Sequence, residues 1–444
     1  MHGYVPHSRV PRKTYQIRVI RESARPAINH AEGEQHIMKK IVVLGAGTAG
    51  TMIANKLRKR LDRDWSITII DKNNIHDYQP GYLFVPFDIN TSKEIRRTKR
   101  EFIGAGIDFI ISEIAHVNLD KQQVRTANAG TFNYDILVMS TGCDIRPEEV
   151  EGLQEGWGKD IHSFYRYDDC IALNRALKGF TGGKLVISIA EMPIKCPVAP
   201  LEFMFLADWW FTKQGIRDKV EIELVTPLSG AFTKPVATRI LTEAAKAKNI
   251  TITPNFALGS VDHEKKIIEA YDGSQIDYDL LVSIPPNFGS EVMIASGIAD
   301  PMGYVPVDKY TLQVQGHDNV WAMGDGTDVP TSKAGSVAHF EGDVLEENIV
   351  AYIDGHEQKE RFDGHANCFI ETGFGKAYLI DFNYDTQPFT GRFPIPVVGP
   401  LGLLQDTEIN HIAKLMFKWV YFNLLLKGTW LGPHGLGMAG KKIE

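Results

Sequence analysis

Cys196 is the first residue whose type and surroundings indicate chemistry. It lies in the segment EMPIKCPVAPLE, between Lys195 and Pro197, and this segment separates the apolar run KLVISIA from the apolar run FMFLADWW. A strand is therefore predicted to end, and a helix to begin, near this cysteine. A helix N-terminus and an adjacent lysine both stabilise a thiolate, the nucleophilic and redox-active form of the side chain. The alternative is a small buried side chain that only packs.

Three glycines near the start of the chain have the GxGxxG spacing. They follow the apolar run KKIVVL, precede an amphipathic segment, and are followed by the strand-like WSITIID, which ends at Asp71. Such a turn allows close approach of a pyrophosphate to a helix N-terminus, and the acidic residue can bind ribose hydroxyls. The candidate cofactor-binding residues here are Gly45, Gly47, Thr48, Ala49, Gly50, Asp71 and Lys72.

Two later segments favour FAD over NAD at this first site. YDILVMSTGCD contains Thr141 and Gly142, and NVWAMGDGTDV contains Gly324 and Asp325. In spacing and order they resemble the later FAD-contacting segments of flavoproteins with two dinucleotide-binding domains. The resemblance implies that Asp325 holds a ribityl hydroxyl and that Thr141 and Gly142 lie along the cofactor, with Gly324 as a further cofactor-binding residue. The alternative for Gly324-Asp325 is an ordinary turn.

A second α/β pattern lies between residues 151 and 302 but lacks a nucleotide loop. Its first turn, AEMPIKCPVAP, has no glycine and three prolines, and its second strand ends at Val225-Thr226-Pro227 without a carboxylate. NAD(P)H is therefore not expected to bind there. The predicted fold is α/β with two Rossmann-like domains, of which the FAD domain is discontinuous (38–150 and 303–365), followed by a C-terminal region (366–444) with an amphipathic helix.

Composition excludes several classes of function. The chain has 444 residues, a formal net charge of −7 and 43% hydrophobic residues, which argues against a nucleic-acid partner. Four cysteines without a CxxC spacing predict neither a disulfide framework nor a zinc site, and no metal site is expected. No uncharged apolar stretch reaches the roughly 18 residues that span a bilayer. Residues 1–37 lack the apolar segment of a secretory signal and are interpreted as a disordered extension, a partner-docking arm or an upstream-start artefact.

Taken together, these segments resemble the sulfide:quinone oxidoreductase family over roughly residues 38–430. The resemblance is carried by GAGTAG, the glycine-free second domain, the segment from Cys196 to Glu202, the Gly-Asp segment, and the late cysteine in ANCFIETGFGKAYLI. It implies a redox pair formed by Cys196 and Cys368, with Glu202 as the family's carboxylate for proton transfer. Lys333 falls where the family has a lysine near the flavin or the quinone. FAD, sulfide and a quinone are the implied cofactor and substrates.

The chain departs from the family at a third cysteine that many members have. Phe164 falls near that position, and Cys170 lies in the predicted helix that follows. We interpret Cys170 as core packing and Cys143 as packing or, alternatively, as a flavin-side residue. The departure predicts a two-cysteine subtype, similar in this respect to flavocytochrome c sulfide dehydrogenase.

The C-terminal region is predicted to contact the membrane without spanning it. The apolar segment RFPIPVVGPLGLL is followed by Asp406 or Thr407 as a helix cap. Apolar residues then recur at helical spacing, at Ile409, Ile412, Leu415, Met416, Trp419 and Val420. The residues predicted to reach lipid headgroups or the interface are Lys414, Lys418, Lys427, Trp419, Tyr421 and Phe422. Packing on the protein body or a dimer contact is the alternative.

Three rival functions stay open at this point. A type II NADH:quinone dehydrogenase has the same fold and membrane habit but needs a nucleotide loop in the second domain. The flavin subunit of flavocytochrome c sulfide dehydrogenase would be exported and would not need the C-terminal helix. A non-catalytic scaffold of the apoptosis-inducing-factor kind would not need paired cysteines. The expected protein is a peripheral, monotopic membrane enzyme and a homo-oligomer.

Overall fold

The computed structural model describes residues 38–394 and 399–429, so the predicted N-terminal extension (1–37), part of the apolar segment 392–404, and residues 430–444 lie outside the described residues. The α-helices of the described part are α1 (Thr48–Arg60), α2 (Tyr167–Gly179), α3 (Ala199–Lys213), α4 (Pro235–Ala247), α5 (Glu291–Ala295), α6 (Gly335–Ile353) and α7 (Glu408–Val420). A π-helical turn, Tyr421–Leu425, follows α7 directly.

The strands are listed in chain order. The first twelve are β1 (Lys39–Leu44), β2 (Trp65–Asp71), β3 (Ile75–Asp77), β4 (Arg96–Thr98), β5 (Ile107–Ile111), β6 (Ile114–Asn118), β7 (Gln123–Thr126), β8 (Thr131–Asn133), β9 (Ile136–Met139), β10 (Asp144–Ile145), β11 (Ile161–His162) and β12 (Gly183–Ile189). The others are β13 (Val220–Val225), β14 (Ile250–Thr253), β15 (Leu258–Asp262), β16 (Ile267–Ala270), β17 (Gln275–Asp277), β18 (Leu280–Ile284), β19 (Asn287–Phe288), β20 (Val320–Ala322), β21 (Ala366–Gly373), β22 (Lys376–Phe382), β23 (Gly391–Phe393) and β24 (Leu401–Leu403).

Two five-stranded parallel sheets form the centre of the fold. The first has the order β20-β9-β1-β2-β5 and the second the order β11-β18-β12-β13-β14. Their central strands are continuous apolar runs because helices or other elements cover both faces of a parallel sheet. The first sheet unites strands from the start of the chain with β20, as a discontinuous FAD domain requires. The boundaries near 150 and 303 remain a prediction.

A third sheet follows, with the order β21-β22-β24-β23. Strand β21 pairs antiparallel with β22 and packs against α3, while α7 packs against β22. One large cluster of buried apolar side chains extends from β1 and α1 through α3 to β21, β22 and the π-helical turn. The third sheet therefore brings C-terminal residues next to α3, the helix that begins just after Cys196.

Candidate active site

The glycine turn after β1 has the geometry of a dinucleotide site. Gly45 adopts a φ of +92°, and a Cβ there would lie 2.5 Å from the carbonyl oxygen of Ser140. A Cβ at Gly50 would lie 1.9 Å from the Gly45 carbonyl oxygen, whereas one at Gly47 would meet nothing within 4 Å. Two of the glycines are thus required by tight packing between strand and helix, and the third leaves its backbone open to a bound group.

Asp71 closes this turn from the end of β2. Its Oδ2 accepts the Ala46 N–H at 2.7 Å, and its Oδ1 pairs with the Lys99 ammonium at 2.5 Å. Lys72 is exposed beside it. The carboxylate therefore already orders the glycine turn, a role that the sequence pattern did not reveal. Its predicted bond to ribose hydroxyls stays a prediction.

The second half of the cofactor site brings together the two later segments. Gly142 and Gly326 pack backbone against backbone, since a Cβ on Gly326 would lie 3.1 Å from the Gly142 carbonyl oxygen. Gly324 adopts a φ of +76°, and its N–H donates to Glu341 at 2.6 Å. Asp325 is half-buried next to this turn, and burial raises the pKa of its carboxyl while Lys333 and Lys195 lower it. Thr141 is likewise half-buried.

Lys333 connects this turn to the segment that contains Cys196. Its ammonium donates to the Thr327 carbonyl at 2.7 Å and lies 4.1 Å from the centre of the Tyr304 ring. Its carbonyl accepts the Cys196 N–H at 2.7 Å. The predicted FAD-side lysine and the predicted redox cysteine are therefore joined through the backbone.

Cys196 has a left-handed backbone conformation, with a φ of +45°. This conformation is uncommon for a residue with a side chain, and such strain is concentrated at functional sites. The Cys196 carbonyl accepts the Ala199 N–H at 2.8 Å at the start of α3. The predicted strand end and helix start are confirmed, and the thiol lies beside the first turn of α3.

Cys196 and Cys368, although distant in sequence, share one electrostatic environment. Burial, followed by the Glu202 carboxylate, raises the pKa of both thiols, that of Cys368 to about 12, and the Cys368 side chain also raises the pKa of Cys196. Among the described residues all four cysteines are free thiols. The structure thus brings together the three predicted catalytic residues Cys196, Cys368 and Glu202.

One part of the prediction about Cys196 is wrong. Lys195 was expected to stabilise the thiolate, but it instead lowers the pKa of Cys143 and of Asp325. The cation that lowers the pKa of Cys196 is Lys414, which comes from α7. Adjacency in sequence therefore did not indicate which cation acts most strongly on the thiol.

Glu202 is buried on α3 and is held by residues from the C-terminal region. Its Oε1 accepts the Glu371 N–H at 2.8 Å and pairs with the Lys414 ammonium, which also donates to the Phe369 carbonyl at 3.0 Å. Burial raises the pKa of Glu202, while Lys414 lowers it. A buried carboxyl with a paired ammonium beside two thiols has the composition of a proton-transfer site.

The other two cysteines occupy different surroundings. Cys170 is fully buried on α2, and its thiol lies 3.0 Å from the Tyr167 carbonyl, so it packs in the core. Cys143 follows the Thr141-Gly142 turn, and burial together with Asp325 raises the pKa of its thiol to about 12.

Comparisons with known proteins agree with this geometry. Residues 39–189 match the family model described as "Pyridine nucleotide-disulphide oxidoreductase". The mitochondrial sulfide:quinone oxidoreductases of Dictyostelium discoideum and Mus musculus are 29% and 27% identical to the chain, each over 89% of it and 88% of the relative. The solved sulfide:quinone oxidoreductase of Aquifex aeolicus superposes with a TM-score of 0.75 at 20% identity, covering 89% of this chain and 93% of that one.

The chain is an FAD-dependent oxidoreductase with the pyridine nucleotide-disulphide oxidoreductase fold. The geometry of the two glycine-containing turns fits FAD. The open backbone at Gly47 suits a pyrophosphate at the start of α1, and the half-buried Asp325 has no competing ion pair within hydrogen-bonding range among the described contacts. Ala49 contacts Gly324, since a Cβ added to Gly324 would lie 3.0 Å from the Cβ of Ala49.

The C-terminal helix of the flavoenzyme confirms part of the predicted pattern. Thr407 caps α7, accepting the Asn410 N–H at 3.3 Å. Large apolar side chains stay exposed along one face, at Ile409, Ile412, Leu415, Met416 and Trp419. No helix in the described ranges is both long and apolar enough to cross a bilayer.

Several predicted headgroup and interface contacts are wrong. Lys414 points inward to Glu202, and Lys418 donates to Asn90 at 2.6 Å. Tyr421 and Phe422 are buried, because the π-helical turn directs them into an aromatic cluster with Tyr78 and Phe102. A helical pattern gives angular spacing, but it does not indicate which polar residues at the edge of the apolar stripe turn toward the protein.

Contacts that the sequence pattern did not predict complete the site. The Tyr421 hydroxyl lies 2.6 Å from Thr48 Oγ1 and 2.8 Å from His76 Nε2, at the start of α1. His411 on α7 pairs with the buried Glu371 at 2.9 Å. No pattern within one segment could have indicated these contacts, because each of them joins distant parts of the chain.

Proposed function

We propose that this flavoenzyme oxidises sulfide through Cys196 and Cys368 and passes the electrons through FAD to a membrane quinone. The observation that carries the proposal is the meeting of these two thiols beside Glu202, on a loop joined to Lys333 and in a domain without a nucleotide loop. The similarity to sulfide:quinone oxidoreductases over most of the chain supports it. The cofactor would be held by the residues of the glycine turn, the Thr141-Gly142 turn and the Gly324-Asp325 turn, with Asp71, Lys72 and Lys333.

The sulfur chemistry needs the two cysteines, a proton acceptor and a two-electron acceptor. Hydrosulfide attacks a disulfide between Cys196 and Cys368, which leaves a persulfide on one cysteine and a thiolate on the other. Closure of the persulfide onto the thiolate forms a three-sulfur bridge and releases one proton and two electrons. FAD, when bound, supplies the two-electron acceptor for this step. Sulfur leaves as polysulfide or zero-valent sulfur.

Glu202 is the residue that takes the proton in this proposal. Both cysteine thiols have raised pKa values, so their reactive anions form only when a nearby group accepts a proton. The Glu202 carboxyl is buried next to both, and its own pKa is raised, which brings its proton affinity closer to that of the sulfur groups.

The quinone side is assigned to the C-terminal region. The exposed apolar face of α7 suits the boundary between headgroups and acyl chains, where a lipid-soluble quinone is reached without a transmembrane span. We therefore propose a peripheral, monotopic enzyme. Phe164 is buried against Phe203 at the position of the family's third cysteine, with ring centres 4.9 Å apart, which supports the two-cysteine subtype. Homo-oligomerisation stays a prediction.

An anaerobic titration tests the proposal. Sulfide is expected to bleach the flavin of the holoenzyme, and decylubiquinone is expected to restore its absorbance. NADH is the matched control donor and should leave the flavin oxidised. Bleaching by NADH but not by sulfide would indicate a type II NADH:quinone dehydrogenase, and re-oxidation by cytochrome c but not by quinone would indicate a flavocytochrome-type subunit.

A further inference from the structure

A chain of polar side chains leads from the two cysteines to the flank of α7. Glu202 lies deepest, followed by Lys414, Glu371 and His411. The exposed fraction of the side chain is 2% for Glu202, 12% for Lys414, 2% for Glu371 and 25% for His411. The outermost group is therefore the one that water reaches most easily.

We propose that Lys414, Glu371 and His411 form a proton relay between Glu202 and the flank of α7. The proposal rests on the proposed sulfide chemistry and adds three residues to it. His411 and Lys414 lie three positions apart on α7 and so share the face that packs on the protein. The helix that presents apolar residues outward thus also supplies both basic groups of the relay.

Direct contacts join the residues at both ends of the relay, with an ion pair between Lys414 and Glu202 and hydrogen bonds between Glu371 and His411. Both carboxylate oxygens of Glu371 lie 2.9 Å from His411 Nδ1. The Lys414 ammonium pairs with Glu202 and also acts electrostatically on Glu371, whose backbone N–H donates to Glu202. Lys414 therefore contacts Glu202 and lies close enough to Glu371 to act on its charge, so proton transfer to Glu371 requires the ammonium to turn from one carboxylate toward the other.

The proton balance gives each group a defined task. Closure of the three-sulfur bridge releases one proton, which the Glu202 carboxylate takes. Lys414 then passes one of its protons to the Glu371 carboxylate and receives the proton of Glu202, so its charge is unchanged. Glu371 protonates His411 at Nδ1, and the imidazole releases a proton from Nε2 toward the surface, as an imidazole can because it has two exchangeable positions.

The burial of two carboxylates is the physical argument against a purely structural role. Removing a carboxylate from water is costly, and an apolar pair of similar volume would often be as stable. The titratable groups that face Glu202 are Tyr78, Tyr165, Cys196, Cys368, Glu371 and Lys414. Those that face Glu371 are His411, Lys414 and Glu202.

His411→Gln tests the relay, because glutamine keeps a hydrogen bond to Glu371 but cannot pass a proton. We expect sulfide-driven flavin bleaching to slow by ~10- to 100-fold, within the range for loss of a proton-transfer group. Added imidazole should restore much of the rate. His263→Gln is the matched control, since His263 pairs with Asp160 and is 24% exposed but lies in the second domain.

A second measurement does not depend on turnover. The pH profile for iodoacetamide alkylation of Cys196 and Cys368 in the reduced holoenzyme should shift in Glu371→Gln but stay at the wild-type position in His263→Gln. A His411→Gln rate within about two-fold of the control, or no shift of the alkylation profile, would overturn the relay. If sulfide does not bleach the flavin of the wild-type enzyme, the proposed function fails. If sulfide bleaches the wild-type enzyme and the His411 and Glu371 variants behave in the same way, only the relay fails.

Discussion

Cys196 shows how a single residue can depend on its backbone as much as on its side chain. Its left-handed conformation is fixed by a hydrogen bond to Lys333 on one side and by the start of α3 on the other. The thiol itself has a raised pKa because it is buried beside Glu202. The site therefore favours the protonated thiol over the free thiolate, so sulfur chemistry at Cys196 needs a proton acceptor beside it.

Replacing either redox cysteine should abolish sulfide-dependent flavin reduction. Cys196→Ser and Cys368→Ser each remove one end of the sulfur bridge, so we expect activity to fall by more than ~100-fold while FAD stays bound. Absorbance of the purified protein and anaerobic bleaching measure the two effects. Cys170→Ser and Cys143→Ser are the matched controls and should keep most activity; loss of activity in a folded control would indicate a third redox cysteine.

Glu341 gives a prediction about stability and pH. Burial raises the pKa of its carboxyl from 4.5 to about 8, so the folded protein binds one more proton than the unfolded chain between these values. The contribution of this carboxyl to the free energy of unfolding is therefore fully present below about pH 4.5 and is lost as the pH rises through about 8. The size of this loss is on the order of a few kcal/mol.

Glu341→Gln should remove that loss, because glutamine cannot ionise and can still accept the Gly324 N–H. We expect the variant and the wild type to unfold at similar temperatures near pH 5, and the variant to be several degrees more stable near pH 9. Thermal unfolding followed by circular dichroism across this range measures it. Parallel pH curves for the two proteins would contradict the assignment.

The helix α7 has two functional faces. Its outer face exposes large apolar side chains, with Met416 and Trp419 each 60% exposed. Its inner face directs Lys414 and His411 toward buried carboxylates. One short element can therefore bind a membrane surface and complete the proton path of the active site.

The double substitution Ile412→Glu and Met416→Glu should detach the enzyme from lipid. Both side chains are exposed, so the fold should be retained, while each loses a contribution of about 1.5–3 kcal/mol from burial in the membrane. We expect binding to phosphatidylcholine–phosphatidylglycerol vesicles to fall by more than ~10-fold, with sulfide-driven bleaching unchanged. Sedimentation with the vesicles measures it, and Tyr271→Glu, at an exposed aromatic of the second domain, is the control. Equal sedimentation of the double variant and the wild type would contradict membrane contact through α7.

The described residues from 38 onward form one compact unit with one large apolar cluster and two smaller ones. The cofactor site draws on the turn after β1 and on the turn after β20, which lie in the same sheet although they are distant in sequence. The site and the core therefore share their structural support.

Unfolding and flavin release should accordingly occur together. We expect one thermal transition, with the rise in flavin fluorescence coinciding with the loss of circular dichroism, and a higher midpoint when excess FAD is present. Removal of FAD should lower that midpoint. Two separate transitions, or flavin release well below the unfolding temperature, would contradict a shared support.

Short patterns in the sequence were sufficient to predict the fold class, the glycine turn, the glycine-free second domain and the outer face of α7. Each of these is specified by spacing within one segment, through strand, helix and turn preferences. The pairing of Cys196 with Cys368 came from family resemblance, and the folded chain supports it by packing β21 against α3.

Short sequence patterns could not predict which charged side chains interact with one another around the site. Lys195, next in sequence, lowers the pKa of Cys143, while Lys414, from the far end of the chain, lowers the pKa of Cys196. Glu371 and His411 become partners only when α7 packs on the third sheet. Electrostatic interactions depend on distance in space and on burial, and both are set by packing between segments rather than by the order of residues along the chain.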